Sequence, residues 1–106
     1  KNVVVESINK AKFQEEIKKE KSVVIKFTAE WCSPCKQLAP VFKEVSEEVS
    51  AECYEIDVDE EPELSRQWNI MSIPTIIVIK QGKEKIRIYG AIPKKQLKER
   101  IISGLE

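Results

Sequence analysis

The sequence predicts an α/β fold built on one mixed β-sheet with helices on both faces. The apolar runs Ser22–Thr28 and Thr75–Lys80 are typical of buried strands, and the stretch from Lys36 to about Val49 carries apolar residues at helical spacing. Lys83–Tyr89 follows a tight turn at Gln81–Gly82 and predicts a hairpin with the strand before it. Helical crossovers in the first part of the chain require parallel strands, whereas a hairpin requires antiparallel ones, so the sheet must be mixed.

Size and composition predict a single, soluble, globular domain over residues 1–106. The chain has 106 residues, 42% of them hydrophobic, and its 18 basic and 18 acidic residues cancel. Without a basic excess we expect no nucleic-acid partner, and without an apolar run near 20 residues we expect no membrane span. The longest charged run, Glu15–Lys21, is expected to be a solvated helix face. No signal-peptide pattern is visible and three cysteines make no disulfide framework, so we expect a cytoplasmic monomer.

The N-terminal part of the chain is predicted from propensity and capping. Asn2–Glu6 is short and β-branched and predicts an outer strand. Asn9 or Ser7 can cap a first helix, whose buried side would carry Phe13 and Ile17. These elements would complete the sheet on the side away from the hairpin.

The remaining elements follow from apolar spacing and from proline and glycine. The long helix should bury a stripe of apolar side chains: Leu38, Val41, Phe42, Val45 and Val49. Pro40 lies inside this helix and must bend it, because it removes a backbone hydrogen bond. We expect a third strand at Glu52–Val58, a short helix at Glu63–Trp68, and a last helix that Pro93 opens and Gly104 ends.

A pair of cysteines lies where the first buried strand gives way to the long helix. Cys32 and Cys35 are three positions apart, so one helical turn can bring their sulfurs together. Unsatisfied N–H groups and the helix dipole favour an anion at this end of a helix, and the thiolate is the reactive form of cysteine. Pro34 fits the first turn and stiffens it. The pattern indicates a redox-active dithiol.

A zinc site is the rival interpretation of the two cysteines. Structural zinc prefers four cysteine or histidine ligands, and this chain has no histidine and one further cysteine, Cys53. We therefore predict no metal. Cys53 could be a third redox thiol, but free cysteine is among the most buried residue types, so we expect it to act as a small buried hydrophobe.

The motifs around the dithiol resemble those of the thioredoxin family. The stretch Trp31-Cys32-Ser33-Pro34-Cys35-Lys36 resembles the family's Trp-Cys-Gly-Pro-Cys-Lys, and Ser72–Thr75 resembles its proline loop. Gly82 and Gly90 fall where the family has glycines, and the resemblance runs from about Val3 to Leu105. It implies the thioredoxin fold, with strand order 1-3-2-4-5 in a five-stranded sheet flanked by four helices.

The resemblance also implies a reaction. Cys32 would be the exposed nucleophile that attacks a disulfide of a client protein, and Cys35 would be the shielded, resolving cysteine. No bound cofactor is needed, and a thioredoxin reductase would restore the dithiol. Two other functions stay open. One is a specialised oxidant, isomerase or single-client reductant, which Ser33 and Lys26 suggest. The other is a non-catalytic binding module.

The family further implies a shallow apolar groove around Cys32. Its members would be Trp31, Ile73, Pro74, Gly90 and Ala91. By resemblance we expect a cis bond between Ile73 and Pro74, with the preceding backbone free to pair with an extended client segment. Trp68, in contrast, is expected only to pack.

Two departures from the family pattern concern charge and the dithiol turn. Lys26 falls where thioredoxins carry a buried aspartate, and Glu55 falls where they carry a lysine. Because a lone buried charge is costly, we expect Lys26 and Glu55 to pair beneath the dithiol, where they would serve as a proton relay or as a buried pair. Ser33 replaces the family's glycine, which bears on the reduction potential.

Overall fold

The computed structural model describes residues 5–106, which form a five-stranded mixed sheet and four helices. The elements are, in chain order, β1 (Glu6–Ser7), α1 (Lys10–Ile17), β2 (Ser22–Thr28), α2 (Ser33–Glu48), β3 (Glu52–Asp57), α3 (Pro62–Gln67), β4 (Thr75–Lys80), β5 (Lys83–Tyr89) and α4 (Lys94–Leu105). The strand order β1-β3-β2-β4-β5 confirms the order that the family resemblance implied. Of the predicted outer strand, residues 2–4 lie outside the described residues, and within the described residues β1 covers Glu6–Ser7.

Strand β2 is the centre of the sheet and fixes where the dithiol lies. It pairs in parallel with β3 and antiparallel with β4, and its residues 23–27 are all buried. A strand covered on both faces reads as a continuous apolar run, which is why this segment is so poor in polar residues. Lys26 is the exception, and the parallel register places it beside Glu55 of β3.

The core has two layers, one on each face of the sheet. Helices α1 and α3 cover one face with Phe13 and Leu64, and Trp68 packs edge-on against Phe13 with ring centroids 5.3 Å apart. Helices α2 and α4 cover the other face with a set of buried apolar residues: Leu38, Phe42, Val45, Leu97 and Ile101. Of the predicted stripe on α2, Val41 alone is only half-buried. Pro40 lies inside α2, on its exposed side.

Helix α1 departs from the solvated face predicted for its charged run. Glu16 is 1% exposed, and its carboxylate accepts a hydrogen bond of 2.8 Å from the Tyr54 hydroxyl of β3. Lys19 lies 2.7 Å, Lys21 2.5 Å and Lys12 3.3 Å from the same carboxylate. Burial alone would raise the pKa of Glu16, but these lysines and Tyr54 outweigh it and lower the pKa well below its usual range. The neighbouring lysines alone predict a solvent-exposed ion-pair network, and the local sequence does not show that Tyr54 of β3 contacts Glu16.

We expect Glu16→Gln to destabilise the fold by about 1–3 kcal/mol at neutral pH, because three ammonium groups and a buried hydroxyl lose their ionic partner. Because the pKa of Glu16 is lower in the folded protein than in the unfolded chain, the ionised carboxylate stabilises the fold fully above the unfolded pKa of about 4.3. This stabilisation is lost as the pH falls toward the native pKa. The stability gap between wild type and Glu16→Gln, measured by urea unfolding, should therefore shrink from pH 7 to pH 3. Glu15→Gln, on the exposed side of α1, is the matched control. A gap that stays constant with pH would contradict the argument.

Gly104 also differs from expectation, since it does not end the last helix. It is buried inside α4, against β4 and β5. A Cβ at this position would collide with the side chain of Ile86 and lie 3.1 Å from that of Val78. The glycine therefore allows close approach of helix and sheet, a tertiary requirement that local capping rules do not reveal.

We expect Gly104→Ala to destabilise the fold by about 1–3 kcal/mol through overpacking, although alanine is the better helix former. Thermal unfolding followed by circular dichroism measures the change. Ser103→Ala, one residue earlier and exposed, makes a similar change without the contact and should be neutral or slightly stabilising. If both variants are equally stable, the close approach does not constrain Gly104.

Candidate active site

The two cysteines occupy the first turn of α2, where the chain leaves β2. Cys32 is the N-cap residue, with extended backbone angles of φ −90° and ψ 108°, and its Sγ accepts the backbone N–H of Cys35 at 3.2 Å. The two residues form a disulfide, with their Cα atoms 5.2 Å apart. Pro34 lies in the first turn, where a missing N–H costs nothing. The sulfur of Cys32 thus takes the place of a capping oxygen and receives the helix's free N–H group.

Both cysteines are buried in this disulfide form. Cys32 is 4% exposed and Cys35 is 2% exposed, so the expectation that Cys32 is an exposed residue is wrong. Ala29, Val58 and Ile73 pack against the pair. The exposed residues of the turn are Trp31, Ser33, Pro34 and Lys36. The two sulfurs thus belong to a small apolar cluster, with exposed residues on either side of each cysteine in the sequence.

The proline loop faces the dithiol. The Ile73–Pro74 bond is cis, as predicted, and the carbonyl oxygen of Ile73 lies 3.8 Å from the Sγ of Cys32. Gly90 has φ +81° and donates its N–H to the Pro74 carbonyl at 3.0 Å, which ties the start of the last loop to the proline. Ala91 follows and is exposed. The predicted groove residues therefore meet at one end of the sheet, around Cys32.

Trp31 directly precedes Cys32 in the dithiol turn. Its side chain is 69% exposed, and its indole N–H donates to the Asp59 carboxylate at 2.7 Å. Asp59 lies in the turn after β3, whose end is next to that of β2 in the sheet. The sequence analysis did not identify Asp59 as a site residue. Its position at the end of the strand that neighbours β2 is the signal that could have identified it.

Lys26 and Glu55 lie side by side beneath the dithiol. The Nζ of Lys26 is 3.3 Å from Oε1 of Glu55, and the two side chains are 3% and 32% exposed. The ammonium also lies 5.1 Å from the centre of the Phe42 ring. The predicted contact is present, and it is asymmetric, with a buried cation and a partly hydrated anion.

A cleft of about 550 Å³ connects this pair with Cys35. Its lining includes Lys26, Glu55 and Cys35, together with Thr28 and Ala39. The cleft opens beside the N-terminal half of α2 and is separate from the groove at Cys32, because none of the predicted groove residues lines it.

The sequence and the structure both match known proteins. The thioredoxin family model matches residues 4–103. A thioredoxin of Mycoplasmoides gallisepticum is 41% identical over 92 residues, which cover 86% of this chain and 92% of that protein. A thioredoxin of Alicyclobacillus acidocaldarius is 37% identical over 102 residues, covering 94% and 97%. The chain belongs to the thioredoxin family.

The solved structure of a mutant thioredoxin from Halobacterium salinarum superimposes with a TM-score of 0.89 at 26% identity, and the match covers 98% of this chain and 93% of that one. The chloroplastic M-type thioredoxin of Spinacia oleracea is 39% identical over 92% of this chain, and the chain spans 55% of that protein's length. Thioredoxins are protein-disulfide oxidoreductases, and this thioredoxin domain carries the cysteine pair of a dithiol reductase. The specialised-oxidant and binding-module alternatives are not favoured by these matches.

The third cysteine lies away from the dithiol of this thioredoxin. Cys53 is on β3, half-buried against the α2–α4 side of the core, and its Sγ is 3.7 Å from the Ala51 carbonyl oxygen.

Among residues 5–106, no group of three or more histidine, cysteine, aspartate or glutamate side chains is arranged to hold a metal ion.

We expect Asp59→Ala to release Trp31, because the indole loses its hydrogen-bond acceptor, whereas Asp59→Asn retains an acceptor oxygen. In a Trp68→Phe background, fluorescence reports on Trp31 alone, and its anisotropy should fall in Asp59→Ala and stay near wild type in Asp59→Asn. Equal anisotropy in all three proteins would show that Asp59 does not restrain Trp31.

Proposed function

We propose that this thioredoxin reduces disulfide bonds of client proteins, with Cys32 as nucleophile and Cys35 as resolving cysteine. The observation that carries the proposal is the position of the pair, in the first turn of α2 and opposite the Ile73–Pro74 loop. The reaction transfers two electrons from the dithiol to the client. A thioredoxin reductase then returns the Cys32–Cys35 disulfide to the dithiol, and no bound cofactor takes part.

In the first step the Cys32 thiolate attacks one sulfur of the client disulfide. The client S–S bond breaks, a mixed disulfide forms, and the other client sulfur leaves as a thiolate that takes up a proton. The N-terminal end of α2 and the Cys35 N–H favour negative charge on the Cys32 sulfur. Lys36, exposed in the same turn, donates its backbone N–H to the Cys32 carbonyl at 3.1 Å, and this hydrogen bond stabilises the turn.

In the second step Cys35 attacks Cys32 and frees the client. The bond between Cys32 and the client breaks, and the Cys32–Cys35 bond forms in the geometry that the structure shows. Because the two Cα atoms are only 5.2 Å apart in one helical turn, the attack is intramolecular. Ser33 and Pro34 between the cysteines hold this geometry, and Ser33 is the residue through which the turn would adjust the reduction potential.

The groove around Cys32 is the proposed docking site for an extended client segment. The backbone of Ile73 faces the sulfur, and an extended segment can pair with such a backbone as an added strand does. Trp31 on one side and Pro74, Gly90 and Ala91 on the other supply the apolar walls.

The proposed setting is the cytoplasm, where thiols are kept reduced. Two of the bacterial relatives match over nearly their full length, and the matches also include chloroplast proteins. Within residues 5–106 no helix is both long and apolar enough to cross a membrane.

We expect Cys35→Ser to accumulate a mixed disulfide with a client protein, because Cys32 can still attack but the resolving thiol is gone. Oxidised insulin is the probe, and non-reducing gel electrophoresis with mass spectrometry identifies the adduct at Cys32. Turnover with dithiothreitol as reductant should fall by at least ~100-fold, which corresponds to about 2.7 kcal/mol of transition-state stabilisation.

Cys32→Ser is the matched control and should form no adduct at residue 35, since the proposed docking backbone of Ile73 faces the Cys32 sulfur. Cys53→Ala should leave turnover unchanged. An adduct at Cys35 in preference to Cys32 would reverse the assigned roles, and full turnover in Cys32→Ser would exclude the dithiol mechanism.

A further inference from the structure

A positive charge is buried behind the resolving cysteine. Lys26 is 2% exposed and lines the same cleft as Cys35. Its ammonium is held by Glu55 at 3.3 Å and by the face of the Phe42 ring at 5.1 Å. The cation is therefore held between Glu55 and Phe42, at the buried wall of the cleft.

The other charged residues around the cleft are placed differently. Glu30 lies in the loop before the dithiol, Lys36 on α2, Asp57 on β3 and Glu60 in the turn after β3. All four are exposed or half-exposed, and so is Glu55, the partner of Lys26 on β3. Among the charged side chains of residues 5–106 that line this cleft, Lys26 alone is buried.

Burial decides which of these charges acts most strongly on Cys35. Water and salt screen an exposed charge, whereas a charge in the protein interior acts through a lower effective dielectric constant. Glu55 compensates Lys26 only in part, because the carboxylate is 32% exposed and hydrated. The local field at the cleft side of Cys35 is thus expected to be net positive.

We propose that Lys26 is a positioning residue that favours the thiolate form of Cys35, with Glu55 as the counter-charge that limits its effect. This inference rests on the proposed function, since it concerns the step in which Cys35 resolves the mixed disulfide. In that step Cys35 must first lose its proton, which passes through the cleft to solvent. The thiolate then forms the bond to Cys32 while the client cysteine leaves as a thiolate and is protonated in turn.

The proposal predicts effects of opposite sign from the two members of one ion pair. Lys26→Met removes the cation and keeps most of the side-chain volume, so the pKa of Cys35 should rise and resolution at neutral pH should slow several-fold. It should also make the reduction potential more negative, because the reduced, thiolate-bearing form loses stabilisation. Glu55→Gln removes the anion and should shift both quantities the other way. A purely structural role would instead make both variants less stable and move both in the same direction.

The experiment measures the ionisation of Cys35 in a background that resembles the mixed disulfide. Replacing Cys32 by serine leaves Cys35 without a second thiol in the turn, as in the mixed disulfide. The pH dependence of the Cβ chemical shift of Cys35, followed by NMR, then gives its pKa without interference from Cys53. Lys26→Met, Glu55→Gln and the double variant are compared with Lys43→Met, which makes the same change in net charge. Lys43 is exposed on the same helix as Cys35 and lines a neighbouring pocket with Lys26 and Glu55, so this control separates a buried charge from an exposed one nearby.

Potentials are measured in parallel on proteins with both cysteines, by equilibration with glutathione. We expect Lys26→Met and Glu55→Gln to shift the pKa and the potential in opposite directions, the double variant to fall between them, and Lys43→Met to match wild type. Lys26→Met should fold, because the remaining Glu55 carboxylate can be solvated, and the spectra themselves report on folding.

Three results would overturn the inference: an unchanged Cys35 titration in Lys26→Met, shifts of the same sign in the two single variants, or a shift in Lys43→Met as large as that in Lys26→Met. Slower resolution in Glu55→Gln with an unchanged Cys35 titration would also overturn it, since that result assigns Glu55 a direct proton-transfer role. Wild-type turnover of insulin is recorded beside these data. If wild type fails to reduce insulin the proposed function is wrong, whereas normal wild-type turnover with unshifted variants removes only the role of Lys26.

Discussion

Burial of β2 on both faces is the constraint on which the rest of this thioredoxin depends. Because both faces of the strand are covered, its pairing register with β3 and β4 is strongly specified. The register fixes the point at which the strand ends, and four residues later Cys32 caps α2. The same register brings Lys26 beside Glu55 and the end of β3 beside the end of β2. The position of the dithiol is thus a consequence of packing in the centre of the sheet.

The site combines two backbone devices with few polar side chains. One is the free N–H at the start of α2, which meets the Cys32 sulfur, and the other is the proline loop, whose Ile73 carbonyl faces that sulfur from the opposite side. Backbone groups cost no side-chain entropy to place once the elements are formed. Chemistry at this site therefore depends more on the fold than on a large set of catalytic side chains.

Local pattern predicted much of this, and its failures have one cause. The strand-to-helix position of Cys32 and Cys35 follows from apolar runs and helical spacing. The Lys26–Glu55 contact was inferred from the family resemblance, because both positions depart from the thioredoxin pattern with exchanged charges. The strand order came from resemblance, because periodicity does not say which strands are neighbours. Local pattern does not predict the burial of Glu16, because Tyr54, whose hydroxyl donates to the Glu16 carboxylate, is 38 residues away in the sequence. Gly104 and the burial of Cys32 were missed for the same reason, since side chains from distant strands and loops decide both.

The edge strand β5 affects how the sheet interacts with other extended chains. β5 carries charged side chains along its length, among them Lys83, Lys85 and Arg87. Charged edge strands are poor templates for the addition of another strand. An extended chain that meets this edge is therefore discouraged from pairing with it, whereas the backbone at Ile73 faces the Cys32 sulfur at the end of the sheet. The charges on β5 thus protect the molecule from aggregation through this edge.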